Sequence, residues 1–226
     1  MTYSKEKENM KTLYPIFSWL ITLLIPIALV FLGLILLEPV FLQIEYRTPG
    51  FPPDSYGFSL QDRLHWSQIA RQYLVNNADI NFLGGLTFPD GSPLYNSREL
   101  SHMQDVKNVV QPVLKIGYGV WFVVLGLGIW AQWGSWWQDY RRGLWRGGWL
   151  TVALVAAIAV FAATSFWQFF TEFHSLFFEG DSWLFLYSDT LIRLFPVRFW
   201  QDTFLAVGTV ALVGGLGMGL GLRIKS

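Results

Sequence analysis

The chain has 226 residues, 53% of them hydrophobic and only 14% charged, with a formal net charge of +0 and no cysteine. An ordinary soluble domain carries about 25% charged residues, so this chain lacks the charge to clothe a surface of its own in water, and its neutrality removes any net attraction to nucleic acid. The missing thiol excludes disulfides, a thiolate nucleophile and cysteine-based zinc sites.

Residues 1–12 are polar and carry Lys5, Lys7 and Lys11. An apolar run over 13–44 follows, punctuated by Pro15, Pro26, Glu38 and Pro39. It is longer than a signal-peptide core and no small-residue cleavage site follows it, which predicts a retained first span. Pro26 is expected to kink it, because its ring removes a backbone hydrogen bond. Residues 45–111 are charged and turn-rich, enough for a small extracytoplasmic cap. Within the cap, Ser59-Leu-Gln-Asp62 is a capping-box start for a helix through Val75, with Leu60, Leu64, Ile69 and Tyr73 among polar neighbours. Over residues 82–95, Gly84-Gly85 and then Pro89-Asp90-Gly91 predict a hairpin or turn pair. Asn96-Ser-Arg-Glu99 opens a second helix that runs toward the next span.

That second span covers 112–134, with Trp121, Trp130 and Trp133 in it; a basic link over 135–147 then carries Arg141, Arg142 and Arg146. A third span over 148–170 leads into a second extracytoplasmic loop, 171–201, dense in aromatics and carboxylates. The fourth span covers 202–222, and the tail 223–226 holds Arg223 and Lys225. The expected fold is an all-α polytopic membrane protein with four transmembrane helices and a small cap of short helices plus a hairpin. Short basic segments stay in the cytoplasm. The N-terminus, the arginine link and the tail hold eight of these bases between them, so both termini are expected inside and both long loops outside. The run from Gly214 to Gly221 looks like a nucleotide-binding loop, but it lies within a span and follows no strand. Its glycines four apart predict a smooth face for helix packing.

Histidine is the scarce chemical resource: His65, His102 and His174 are all there is. Glu99, His102 and Asp105 are spaced by three and share a helix face. A carboxylate one turn away can fix a histidine tautomer, although a polar helix face at a wet interface needs no chemistry. His174 is bracketed by Phe169, Phe170, Phe173, Phe177 and Phe178, where it is either an interfacial anchor or a desolvated functional group. The span arrangement puts both histidines near one depth on the outer face, where they can meet. His65, on the cap helix, is assigned no role. Asp189 and Arg193 are four apart and able to pair, while Arg193 or Arg198 is also suited to holding a phosphate or an oxyanion. Trp183 and Trp200 read as interfacial anchors.

No Gly-x-Ser-x-Gly or His-Glu-x-x-His occurs, and the one Ser-x-x-Lys, Ser4 to Lys7, lies in the polar N-terminal segment. Two histidines with Glu99, Asp105 or Glu172 can bind a metal in principle, but no spacing favours that over a metal-free acid/base pair. No cofactor is expected. Spans nearly free of charge at mid-depth speak against a channel or transporter.

Taken in order between four apolar spans, several segments carry a resemblance. They are Glu99-Leu-Ser-His-Met-Gln-Asp-Val-Lys107, Phe173-His-Ser-Leu-Phe-Phe with Asp181-Ser-Trp183, and Asp189-Thr-Leu-Ile-Arg-Leu-Phe-Pro196 with Phe199, Trp200 and Asp202. The chain resembles the bacterial integral membrane family that includes the lipoprotein intramolecular transacylase Lit. The resemblance implies acyl transfer at the outer leaflet of the bacterial plasma membrane. The sn-2 acyl chain of a diacylglyceryl lipoprotein would move onto the amine of its N-terminal cysteine. The family's two histidines map to His102 and His174, with Asp105 and Asp189 orienting them and Arg193 polarising the ester. The implied partners are the bilayer, a bacterial lipoprotein substrate and membrane proteins that meet the transmembrane helices. The rival expectation is a non-catalytic accessory or assembly subunit of a larger membrane complex. A weaker third is a metal-dependent membrane hydrolase.

Overall fold

A computed structural model describes residues 2–38 and 40–222, with side chains from Thr12 onward. Lys5, Lys7 and Lys11 as side chains, Pro39, and the tail with Arg223 and Lys225 therefore lie outside the described residues. In chain order the helices are α1 (Thr2–Leu37), α2 (Phe41–Glu45), α3 (Leu60–Val75), α4 (Asn81–Gly84), α5 (Ser97–Trp133), α6 (Trp137–Thr164), α7 (Phe166–Ser175), α8 (Thr190–Leu194) and α9 (Val197–Gly221). Four stretches, Thr12–Leu37, Ser97–Trp133, Trp137–Thr164 and Val197–Gly221, are long and apolar enough to cross a bilayer. Such helices satisfy their own backbone hydrogen bonds, which hydrocarbon demands. The protein is a multi-pass, all-helical membrane protein.

Helix and apolar run do not coincide everywhere. The 37 residues of α5 extend about 55 Å at 1.5 Å per residue, far beyond a 30 Å hydrocarbon core. Its first turns carry Arg98, Glu99, Asp105 and Lys107, so a polar helix runs unbroken into an apolar one. The arginine link is helical from Trp137 onward, since Arg141, Arg142 and Arg146 are good helix formers. The third apolar run, in contrast, is cut at Ser165, whose hydroxyl accepts from the Gln168 amide (3.2 Å) and starts α7 afresh.

The chain divides into two compact units. The first contains the described parts of Met1–Leu36, Lys115–Val160 and Ala206–Ser226. Its core joins Ile21, Ile25 and Leu29 of α1 to Val120, Val124, Trp136, Tyr140 and Ala211. Helices approach closely where glycine removes the side chain. A Cβ on Gly148 would lie 2.6 Å from the Gly215 carbonyl oxygen, and one on Gly143 would lie 2.6 Å from that of Ser18. Within the glycine run, Gly214, Gly215 and Gly219 pack against neighbours, while Gly217 and Gly221 face open space. Polar groups are few: Ser18 donates to the Asp139 carbonyl (2.6 Å) and accepts from Arg146 (2.6 Å), and Trp121 donates to the Ala28 carbonyl (3.1 Å).

The second unit is Leu37–Leu114 with Phe161–Leu205. Helix α3 begins on the expected capping box: Ser59 Oγ accepts from the Asp62 amide (3.1 Å), and Asp62 accepts from the Ser59 amide (2.9 Å). Ala70, Tyr73, Leu83, Leu94, Tyr95, Met103, Leu191 and Leu194 form its main core. The expected hairpin is a tight turn with one isolated bridge, Thr87 to Pro93, and no strand forms among the described residues. Gly91 takes φ 85° at its tip, a left-handed conformation that glycine adopts without steric cost.

Candidate active site

Two short segments bring the histidines together within the second unit. Asn96 caps α5 in the predicted box, its Oδ1 accepting from the Glu99 amide (3.0 Å) while Glu99 accepts from the Asn96 amide (2.8 Å). The second Glu99 oxygen accepts from the Leu191 amide at the start of α8 (2.7 Å). Glu99 is 1% exposed, so it ties two segments in a dry environment. One turn on, His102 projects from the same helix. His174 sits in the last turn of α7, the short helix that Ser165 starts.

The two imidazoles lie 6.4 Å apart between centroids with their planes only 19° from parallel. Phe178 and Phe185 present their edges or faces to His102 at 5.0 and 5.3 Å. Phe170 and Trp183 cover His174 at 4.0 and 4.6 Å. Both histidines are 8% exposed. This is a shared aromatic pocket.

The two rings differ in their hydrogen bonds. His174 Nδ1 lies 2.8 Å from the Phe170 carbonyl oxygen. A carbonyl only accepts, so Nδ1 carries the proton, and in the neutral ring Nε2 holds the free lone pair. Burial pushes the His174 pKa below its ordinary value, with the Phe170 hydrogen bond opposing the shift. His174 is therefore neutral at pH 7 and able to accept a proton. His102 Nδ1 is buried and has no hydrogen-bond partner among the described residues. A bare lone pair is cheaper to bury than a bare N–H, which favours the tautomer with the proton on Nε2 of His102.

The other expected residues lie elsewhere in the unit. Asp105 makes no hydrogen bond or ion pair among the described residues. Glu99, on the same helix face, spends its carboxylate on backbone amides rather than on His102. Asp189 accepts from Asn96 Nδ2 (3.0 Å) and from the Leu186 amide (2.9 Å), bracing the loop against the start of α5. Arg193 pairs with Asp54 (3.0 Å) rather than Asp189, and its guanidinium lies 3.6 Å from the Phe58 ring centroid. His65 is exposed beside Trp66. Among the described residues, no three His, Asp or Glu side chains converge as a metal-donor set. Phe178 is one of the rings expected around His174, whereas Phe185 carries no signal in the sequence, because aromatic residues fill this loop and nothing in its spacing marks it as turning inward.

The fold has counterparts in known proteins. An uncharacterized protein of Aquifex aeolicus is 27% identical over 176 residues, 78% of each chain. The structure of the membrane integral lipoprotein intramolecular transacylase Lit from Bacillus cereus superposes with TM-score 0.75 at 21% identity, covering 93% of both chains. A variant of that protein with a histidine replaced by alanine matches with TM-score 0.64 at 20% identity, covering 92% of both chains. These structures share the fold. The family profile described as lipoprotein intramolecular transacylase Lit matches residues 4–200, nearly the whole chain, and the protein belongs to that family.

Proposed function

We propose that this protein transfers an acyl chain within a diacylglyceryl lipoprotein, from the sn-2 ester to the α-amine of the N-terminal cysteine. Family membership makes it a lipoprotein transacylase at the level of the family. The observation supporting the finer reading is the pair of near-parallel buried imidazoles, one with its tautomer fixed by the Phe170 carbonyl.

In this reading the amine nitrogen attacks the ester carbonyl carbon, forming a C–N bond. His174 Nε2 takes the proton that the amine must lose. The sn-2 C–O bond then breaks, and the leaving oxygen takes that proton from the His174 imidazolium while His102 Nε2–H donates a hydrogen bond to it. Both rings end in the neutral form in which they began, so the reaction needs no net acid or base. Acid/base assistance of this kind contributes about 10²–10⁴-fold. Both reacting groups belong to one substrate molecule, so positioning supplies much of the remainder. No enzyme nucleophile is needed, in keeping with the missing serine and cysteine motifs.

Asp189 acts in this reading as a positioning residue, holding the start of α5 from which His102 projects. Arg193 braces the cap through Asp54. The basic residues of the N-terminal segment, the Arg141 link and the tail support a cytoplasmic side for both termini and an outer-leaflet site for the acyl transfer.

The test is expression in a bacterium unable to N-acylate its lipoproteins, with tandem mass spectrometry of one lipoprotein's N-terminal peptide. The expected product carries an N-acyl cysteine and a monoacylglyceryl thioether, and His102→Ala and His174→Ala each lose it at least about 100-fold. A diacylglyceryl peptide with a free amine, despite good expression, overturns the reading in favour of an accessory subunit.

A further inference from the structure

Away from the histidines, the second unit carries an open cleft of about 470 Å³ lined by Arg63, Arg193 and Arg198. No hydrogen bond or ring contact among the described residues joins these arginines to His102 or His174. The volume falls within the about 300–1,000 Å³ usual for small-molecule sites. Asp54 is the only carboxylate among the described lining residues, so three guanidiniums face one acid.

The three arginines are unequally served. Arg193 is matched to Asp54, its Nε and Nη2 both directed at the carboxylate at 3.0–3.3 Å. Arg198 pairs with Asp202 one turn along α9, and nearly half of its side chain is exposed. Glu45, buried near both, is pushed up to about 7, by desolvation first and by Asp202 second, so it brings only part of a negative charge. Arg63 feels the Asp54 charge but makes no ion pair with it among the described residues. It is 6% exposed, donates from Nη1 to the Pro52 carbonyl (2.7 Å) and lies 5.3 Å from the Phe51 ring centroid. Its Nε is buried without a hydrogen-bond partner. A buried cation with an orphaned donor is costly, and an anion in the cleft completes it. The planar guanidinium fork matches a phosphate or carboxylate in geometry.

The surroundings select among anions. Arg198 occupies the first turn of α9, one of the four membrane-crossing stretches, which sets it at the polar boundary of the bilayer. Tyr56 and Tyr187 line the same cleft and are 54% and 79% exposed, an amphipathic rim of the kind that sits among lipid headgroups. A soluble metabolite has no use for that rim, whereas a phospholipid uses both halves of the site.

We propose that the Arg63–Arg193–Arg198 cleft binds a phosphate group, supplied by the phosphodiester headgroup of a membrane phospholipid. This does not depend on the acyl-transfer reading.

The test is native mass spectrometry of the full chain in a phosphate-free maltoside detergent, with phosphatidylglycerol or diacylglycerol added. One phosphatidylglycerol should be retained per chain and diacylglycerol should not. Retention should fall at least about tenfold in Arg63→Gln, as expected when one charge-assisted hydrogen bond is lost. Arg198→Gln, at an exposed side chain, should show the same loss and keeps the test decisive where Arg63→Gln fails to fold. Equal retention of the two lipids, or unchanged retention in Arg198→Gln, overturns the proposal. Thermal stabilisation by inorganic phosphate without lipid retention reassigns the cleft to free phosphate and overturns the lipid source.

Discussion

Gly148 and Glu99 hold helices in opposite ways. In the first unit, Gly148 brings its backbone against that of Gly215, and the contact is made by having nothing in the way. In the second, Glu99 reaches across to the Leu191 amide, and the contact is made by a buried carboxyl group that accepts backbone hydrogen bonds. The first strategy suits hydrocarbon, where burying more apolar surface brings no hydrophobic gain and association relies on close packing. The second suits loops and short helices such as α8, whose backbone amides have few partners of their own. The difference separates a contact that a methyl group breaks from one that the loss of a carboxylate breaks.

The sharpest way to break that contrast is Glu99→Ala. It strands the Asn96 and Leu191 amides, at about 1–3 kcal/mol each, and should lower stability by roughly 2–6 kcal/mol. Hydrogen exchange should show lost protection at both amides; unchanged protection would mean the carboxylate ties nothing. A smaller loss, about 1–3 kcal/mol, is expected for Gly148→Ala, because the new methyl meets backbone that cannot yield. Gly217→Ala, which faces open space in the same helix run as Gly215, should be neutral or slightly stabilising by melting in the same detergent.

Acidity should discriminate further. The His174 pKa is lowered in the folded protein, so the unfolded chain takes up that proton first as pH falls. Stability is therefore undiminished above about 6.5 and declines below it, whereas His174→Gln removes this part of the slope. Parallel pH–melting curves for wild type and variant would contradict the buried neutral ring. The smallest effect is predicted for Asp105→Ala, whose carboxylate makes no hydrogen bond or ion pair among the described residues. Its turnover should stay within about threefold of wild type, the range of a surface change of ±0.5 kcal/mol.

Much of the fold was legible because its signals are local. Four membrane-crossing stretches, the Ser59–Asp62 box and the Asn96–Glu99 box each lie within one window of sequence, and all are found, although with helix ends that differ from the apolar runs. The break at Ser165 was also written locally, as Ser165-Phe-Trp-Gln168, but it sat inside an apolar run and was read as continuous helix. What sequence could not supply were partners at a distance. Asp189 and Arg193 invite pairing at four residues, yet Arg193 takes Asp54, 139 positions away. The histidines were expected to meet on grounds of depth, but which ring has a defined tautomer depends on the Phe170 carbonyl in a helix whose start was misread.

The Glu99 tie also has a consequence in time. Its acceptor oxygens emerge from the ribosome 92 residues ahead of the Leu191 amide they receive. At a synthesis rate of about 5–20 residues per second, that is a wait of roughly 5–18 seconds. The same delay governs Thr190 with Leu94 and Asp189 with Asn96. The nascent chain thus carries an incomplete, charged helix start until its last loop is made. Assembly of the histidine pocket is a late event in biogenesis, set by translation rather than by collapse.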